Sequence, residues 1–82
     1  MSEDKNLEIF KKLKSILLNI KPNIDINVLH NNTMIKDLGL SSFEIFVFIH
    51  DVEIEFKIEI AEQNIHNNFN LEDMINMIMQ NK

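Results

Sequence analysis

The chain has no cysteine. Disulfides, thiolate-zinc sites and a protein thiol nucleophile are therefore excluded, and any thiol chemistry needs a thiol from a cofactor. Arginine is also absent, and the cations are eight lysines against thirteen acids, a net charge of −5. Nucleic-acid binding relies on clustered cations that neutralise phosphates, so nucleic acid is not an expected partner. No apolar run approaches the ~20 residues a membrane-spanning helix needs. The N-terminal Met1-Ser2-Glu3-Asp4-Lys5 is polar and acidic, unlike a secretory signal, which makes the cytoplasm the expected location. There is one glycine and one proline, so turn signals are scarce.

Eighty-two residues suffice for one small domain. A fold of this size buries only about 60% of the surface its unfolded chain exposes. It has little room for an enclosed active site, and the chain is not expected to be an enzyme. The charge is uneven. Lys5, Lys11, Lys12, Lys14 and Lys21 crowd the first stretch, whereas Asp37, Glu44, Asp51, Glu53, Glu55, Glu59, Glu62, Glu72 and Asp73 face only Lys57. An acidic half keeps a small protein soluble, and it also suits partners with basic patches.

Leu7, Phe10, Leu13, Leu17 and Ile20 recur at helical spacing and predict a helix over 5–20, closed by Pro22. Residues 21–41 keep no period and read as a long ordered loop with one short helical turn. Ile24, Ile26, Val28, Leu29, Met34, Ile35 and Leu38 are available to pin it to the core.

The next segment carries two patterns. Val52, Ile54, Phe56, Ile58 and Ile60 alternate with charged residues, as in a strand. Ile45, Ile49, Val52 and Phe56 recur as in a helix. Length decides for helix, because no turn signal lies between Leu40 and Ala61. Ser41 and Glu44 form an S-x-x-E capping box, which places the helix at 42–56 with an inward-packing extended exit at Ile58 and Ile60. A short helix is expected over 62–66. A last one is expected over 71–79, capped by Asn70 with Asp73 at its third position and Leu71, Met74, Ile75 and Ile78 inward. The fold class is all-α, a bundle of three main helices plus one short helix.

The segment Asp37-Leu38-Gly39-Leu40-Ser41-Ser42-Phe43 carries the chemistry. A helix start has unpaired amides and partial positive charge, so a phosphate ester on Ser42 would lie in a favourable field. Gly39 allows a sharp turn and leaves space beside the serine. Two serines ahead of a helix are, by themselves, more often caps than modification sites.

The wider pattern resembles the acyl carrier protein family. Asp37-Leu38-Gly39-Leu40-Ser41-Ser42-Phe43 is similar to its D-L-G-x-D-S-L signature, with Ser42 at the modified serine. Val52-Glu53-Ile54-Glu55-Phe56 resembles the E-x-E-F close of its second helix, and Glu59-Ile60 the E-I before its third. Phe69-Asn70-Leu71-Glu72-Asp73-Met74-Ile75-Asn76-Met77-Ile78 is similar to its last helix. The resemblance implies a bundle of the carrier kind and a non-catalytic group carrier acting as a monomer. A phosphopantetheinyl transferase would attach 4′-phosphopantetheine from coenzyme A to Ser42. Acyl-loading and acyl-processing enzymes would then use the thioester in fatty-acid, polyketide or related specialised biosynthesis. It also implies that partners grip Asp37, Phe43, Glu44, Phe46, Val47, His50 and Glu53.

The chain departs from the pattern at five positions, among them His50 where a methionine or similar residue is usual. Ser41 stands where an acid usually precedes the serine, keeping a capping oxygen without the charge. Phe43 replaces the leucine. Val47 and Ile54 replace acids, leaving the second helix less acidic and more apolar. Ile45, Phe46, Val47, Phe48 and Ile49 cannot all face one core, so some are exposed, line an acyl pocket or meet a dedicated partner. The alternatives are an aminoacyl or peptidyl carrier, which more often has a double glycine before the serine, and an unmodified helical adaptor. His30, His50 and His66 share no ligand spacing, and no metal site is expected. His50 is a candidate pH sensor for docking.

Overall fold

The fold was obtained as a computed structural model. It describes residues 2–61, 63, 65 and 69–80, leaving aside the side chains of 2–4 and 28. Helix α1 spans Ser2–Ile20, α2 Ser42–Phe56 and α3 Leu71–Gln80, with two 3₁₀ turns, η1 at Ile26–Val28 and η2 at Ile35–Leu38, in the connection between α1 and α2. The chain is a small all-α bundle in which α1 packs on both α2 and α3. No strand is present among the described residues. The expected helix over 62–66 falls largely outside them, with only Gln63 and Ile65 described.

The inward face of α1 largely follows the expected one, with Ile9 and Ile16 added and Leu7 left out. Ile9, Leu13, Ile16 and Leu17 are buried, Phe10 and Ile20 only partly, and Leu7 is exposed. Steps of three, three, four and three from Leu7 to Ile20 drift around a helix. Ile9, Leu13, Ile16 and Ile20 stay closer to its 3.6-residue period. Helix α1 also starts earlier than residue 5, because Ser2-Glu3-Asp4 is compatible with a helix but supplies no apolar period.

Helix α2 contributes Phe48 and Val52, and α3 contributes Leu71, Met74, Ile75 and Ile78. Leu29, Ile35, Leu38, Ile58, Ile60 and Phe69 complete one continuous core. Ile58 and Ile60 belong to the extended exit of α2 and pack inward as expected.

The connection between α1 and α2 holds two short turns rather than one. Residues i and i+3 eclipse in a 3₁₀ helix, so η2 turns Ile35 and Leu38 into the core together. The preceding segment is sewn to the start of α3. The Ile35 amide donates to the Phe69 carbonyl, Leu71 to Thr33 and Glu72 to Asn31, at 2.8 to 3.0 Å. Asn70 and Asp73 cap α3 reciprocally: the Asp73 amide donates to the Asn70 side chain at 2.8 Å, and the Asn70 amide to the Asp73 carboxylate at 3.0 Å. The first amides of α3 are thereby all engaged.

Candidate functional site

The corner between η2 and α2 is built by three local devices. Buried Leu38 anchors the end of η2 in the core. Gly39 then turns the chain through the left-handed region at φ 77°, ψ 20°. A Cβ at Gly39 would meet nothing within 4 Å, so the glycine serves backbone conformation and not clearance beside the serine. Finally Ser41, with extended backbone, caps α2: its hydroxyl accepts from the Glu44 amide at 3.1 Å, and the Glu44 carboxylate accepts from the Ser41 amide at 2.8 Å.

The two serines therefore differ. Ser41 is committed to the cap. Ser42 is exposed, and its hydroxyl and amide, like the Phe43 amide, have no hydrogen-bond partner among the described residues. The start of α2 thus presents open donors, where the start of α3 is closed by the loop and by Asn70.

Lysine enters this corner from α1. The Lys21 ammonium donates to the Gly39 carbonyl at 3.0 Å. The Glu44 carboxyl is held below its ordinary value, above all by the Ser41 amide; desolvation opposes this, and the Lys21 charge and the Ser41 hydroxyl add to the lowering.

The outward face of α2 is apolar. Phe43 is 73%, Phe46 58% and Ile54 63% exposed, whereas Phe48 on the opposite face is fully buried. Phe43, the pair Phe46 and Val47, His50 and Ile54 recur three or four residues apart and share one face. Of the residues expected to meet partners, Phe43, Phe46, Val47 and His50 come together there. Asp37 is exposed on η2 before the corner. Glu44 is tied into the cap. Glu53 turns partly inward, where its carboxylate accepts from the Ile60 amide at 2.7 Å and lies 4.0 Å from the His50 Nδ1. Sequence reasoning missed Ile54 as part of this face and Lys21 as part of the corner. Ile54 lies four residues after His50 and seven after Val47, a spacing that identifies it. Lys21 has no such signal.

A groove of about 300 Å³ lies between α1 and the far end of α2, lined by Lys5, Glu8, Ile9, Lys12, Glu55, Phe56 and Lys57. Phe56 and Ser42 stand at opposite ends of the 15-residue α2, roughly 20 Å of rise apart, so the groove does not adjoin the serine. Lys12 pairs there with Glu55 at 3.5 Å and lies 5.6 Å above the Phe56 ring. Among the described residues no group of three or more His, Cys, Asp or Glu is arranged to hold a metal, and no helix is long and apolar enough to cross a membrane.

Fold and site together define a small helical bundle with an unbonded surface serine at the start of its central helix. No protein family, curated protein or solved structure matches this chain.

Proposed function

We propose that the chain is an acyl carrier protein modified on Ser42. One observation carries the reading: the capping role that explains most serines at helix starts belongs to Ser41, which leaves the Ser42 hydroxyl exposed and unbonded. The residues present fit a phosphodiester at that position. The Ser42 and Phe43 amides are open, the helix start favours an anion, and the Lys21 ammonium reaches the same corner. A transferase joins the Ser42 oxygen to the pantetheine phosphate of coenzyme A, releases 3′,5′-ADP and removes the hydroxyl proton. When attached, the arm supplies the thiol that this cysteine-free chain lacks and holds acyl groups as thioesters. The protein contributes placement and recognition and catalyses nothing. It works as a cytoplasmic monomer that partner enzymes approach over Phe43, Phe46, Val47 and His50, with acidic Asp37, Glu44 and Glu53 alongside.

The exposed apolar face favours partners dedicated to this carrier over general fatty-acid enzymes, and so a specialised pathway. The same face is the observation that favours the second reading, an unmodified helical adaptor. One measurement decides between them. Incubation with coenzyme A and a broad-specificity phosphopantetheinyl transferase is expected to add one arm, read as intact mass. Ser42→Ala abolishes the addition and Ser41→Ala does not. Absence of any adduct on the folded wild type overturns the carrier reading.

A further inference from the structure

We infer that Lys21 is a positioning residue for the modification of Ser42, latching the end of α1 to the Gly39 carbonyl and so fixing the segment that presents the serine. The inference rests on the carrier reading above.

Between buried Leu38 and the cap at Ser41 the chain passes through Gly39 and Leu40. Gly39 has no side chain to anchor it, and its left-handed conformation is one that a flexible backbone readily leaves. The bond from Lys21 holds this point from outside, across eighteen residues of sequence. Lys21 is itself well placed to hold it. Its amide donates to the Leu17 carbonyl at 2.8 Å, extending the last turn of α1, and its carbonyl accepts from the Ile24 amide at 3.0 Å. The adjacent Pro22 restricts the backbone further. A side chain rooted at the end of a packed helix thus adds a polar tie to a segment otherwise held by buried Leu38 and by Leu40, which packs only partly buried against the core.

Charge supports the assignment. Glu44 and Asp37 already place acids near the corner, and a phosphodiester on Ser42 adds another negative charge. Lys36 lies on η2 but makes no bond to the segment among the described residues. Lys21 is the cation bonded there, and its field reaches the Glu44 carboxyl. The same ammonium would hold the loop before modification and offset the added charge after it.

The test compares wild type with Lys21→Met, which keeps the stem and removes charge and donors, and Lys21→Arg, which restores both. Transferase kcat/KM is measured for each, alongside amide exchange in the unmodified proteins. Lys21→Met is expected to lower kcat/KM roughly tenfold, as suits loss of one charged hydrogen bond. It should speed exchange at Ser41 and Glu44, the amides bonded within the cap, while the amides of α3 keep their wild-type protection. Lys21→Arg is expected to recover most of the rate. If wild type takes the arm and Lys21→Met takes it equally fast, the latch is wrong and the carrier reading stands. If wild type takes no arm, both fall. A rate loss that arginine does not restore, or that comes with faster exchange throughout α3, reflects general destabilisation and also overturns the latch.

Discussion

At the scale of single residues, the corner depends on which oxygen meets which amide. Glu44 caps most strongly while ionised, because a carboxylate accepts from the Ser41 amide more strongly than a protonated carboxyl does. That bond, with the Lys21 charge behind it, depresses the folded-state value below the ordinary 4.5, so the folded state binds fewer protons at this site than the unfolded chain. The stability contributed is fully present above 4.5 and is lost as pH falls through the depressed folded value. Urea unfolding of wild type and Glu44→Gln from neutral pH into the acid range is expected to show this. The wild type holds its advantage near neutrality, and the gap between midpoints narrows progressively below 4.5. A gap that stays constant into acid would mean that the carboxylate charge has no part in the cap. This pair was legible in the sequence, because a capping box is a fixed three-residue offset between residue types that bond locally. The Lys21 bond was not, since nothing in the sequence relates a lysine to a carbonyl eighteen positions away.

At the scale of elements, α2 shows how two periodicities overlap and which one wins. The alternation from Val52 to Ile60 imitates a strand. In the structure it is three things in sequence: a buried helix face at Val52, an exposed one at Ile54 and an extended exit at Ile58 and Ile60. The helix start was readable from Ser41 and Glu44, and the absence of turn residues ruled out a hairpin. The two 3₁₀ turns were less readable, because three or four residues supply no period. The end of α2 carries strain. Lys57 sits in the left-handed region at φ 56°, ψ 49°, and the Lys57 and Ile58 amides both donate to the Glu53 carbonyl. A side chain there costs about 1–2 kcal/mol, against which a cation beyond a helix end returns about 0.3–1 kcal/mol. Lys57→Gly is therefore expected to stabilise the protein by about 0.5–1 kcal/mol, measured as a higher urea midpoint at unchanged slope. A lower midpoint would show that Lys57 contributes more through the groove beside Glu55 and Phe56 than its backbone costs.

At the scale of the whole molecule, α2 contributes apolar side chains both to the shared core and to a face turned to solvent, while Leu7 and Ile26 are exposed elsewhere. A chain of this length has a total stability of roughly 4–12 kcal/mol. Fully buried Phe48 joins the core that all three helices share. Phe48→Ala should cost about 3–5 kcal/mol, a substantial fraction of that total, and lower the melting temperature by roughly 10–40 °C. Phe46 and Ile54 are as apolar but are more than half exposed, so folding buries little of them. The double variant Phe46→Ser, Ile54→Ser should stay within about 0.5 kcal/mol of wild type per site, because exposed positions outside special geometries seldom matter to stability. It should also bind less of a hydrophobic dye, since the outward face is the apolar surface removed. Equal losses for Phe48→Ala and the double variant in urea unfolding would mean that the α2 face is covered in solution, for instance by self-association. Unequal losses, with dye binding reduced only in the double variant, would separate the side chains that make the fold from those retained on its surface for another molecule to meet.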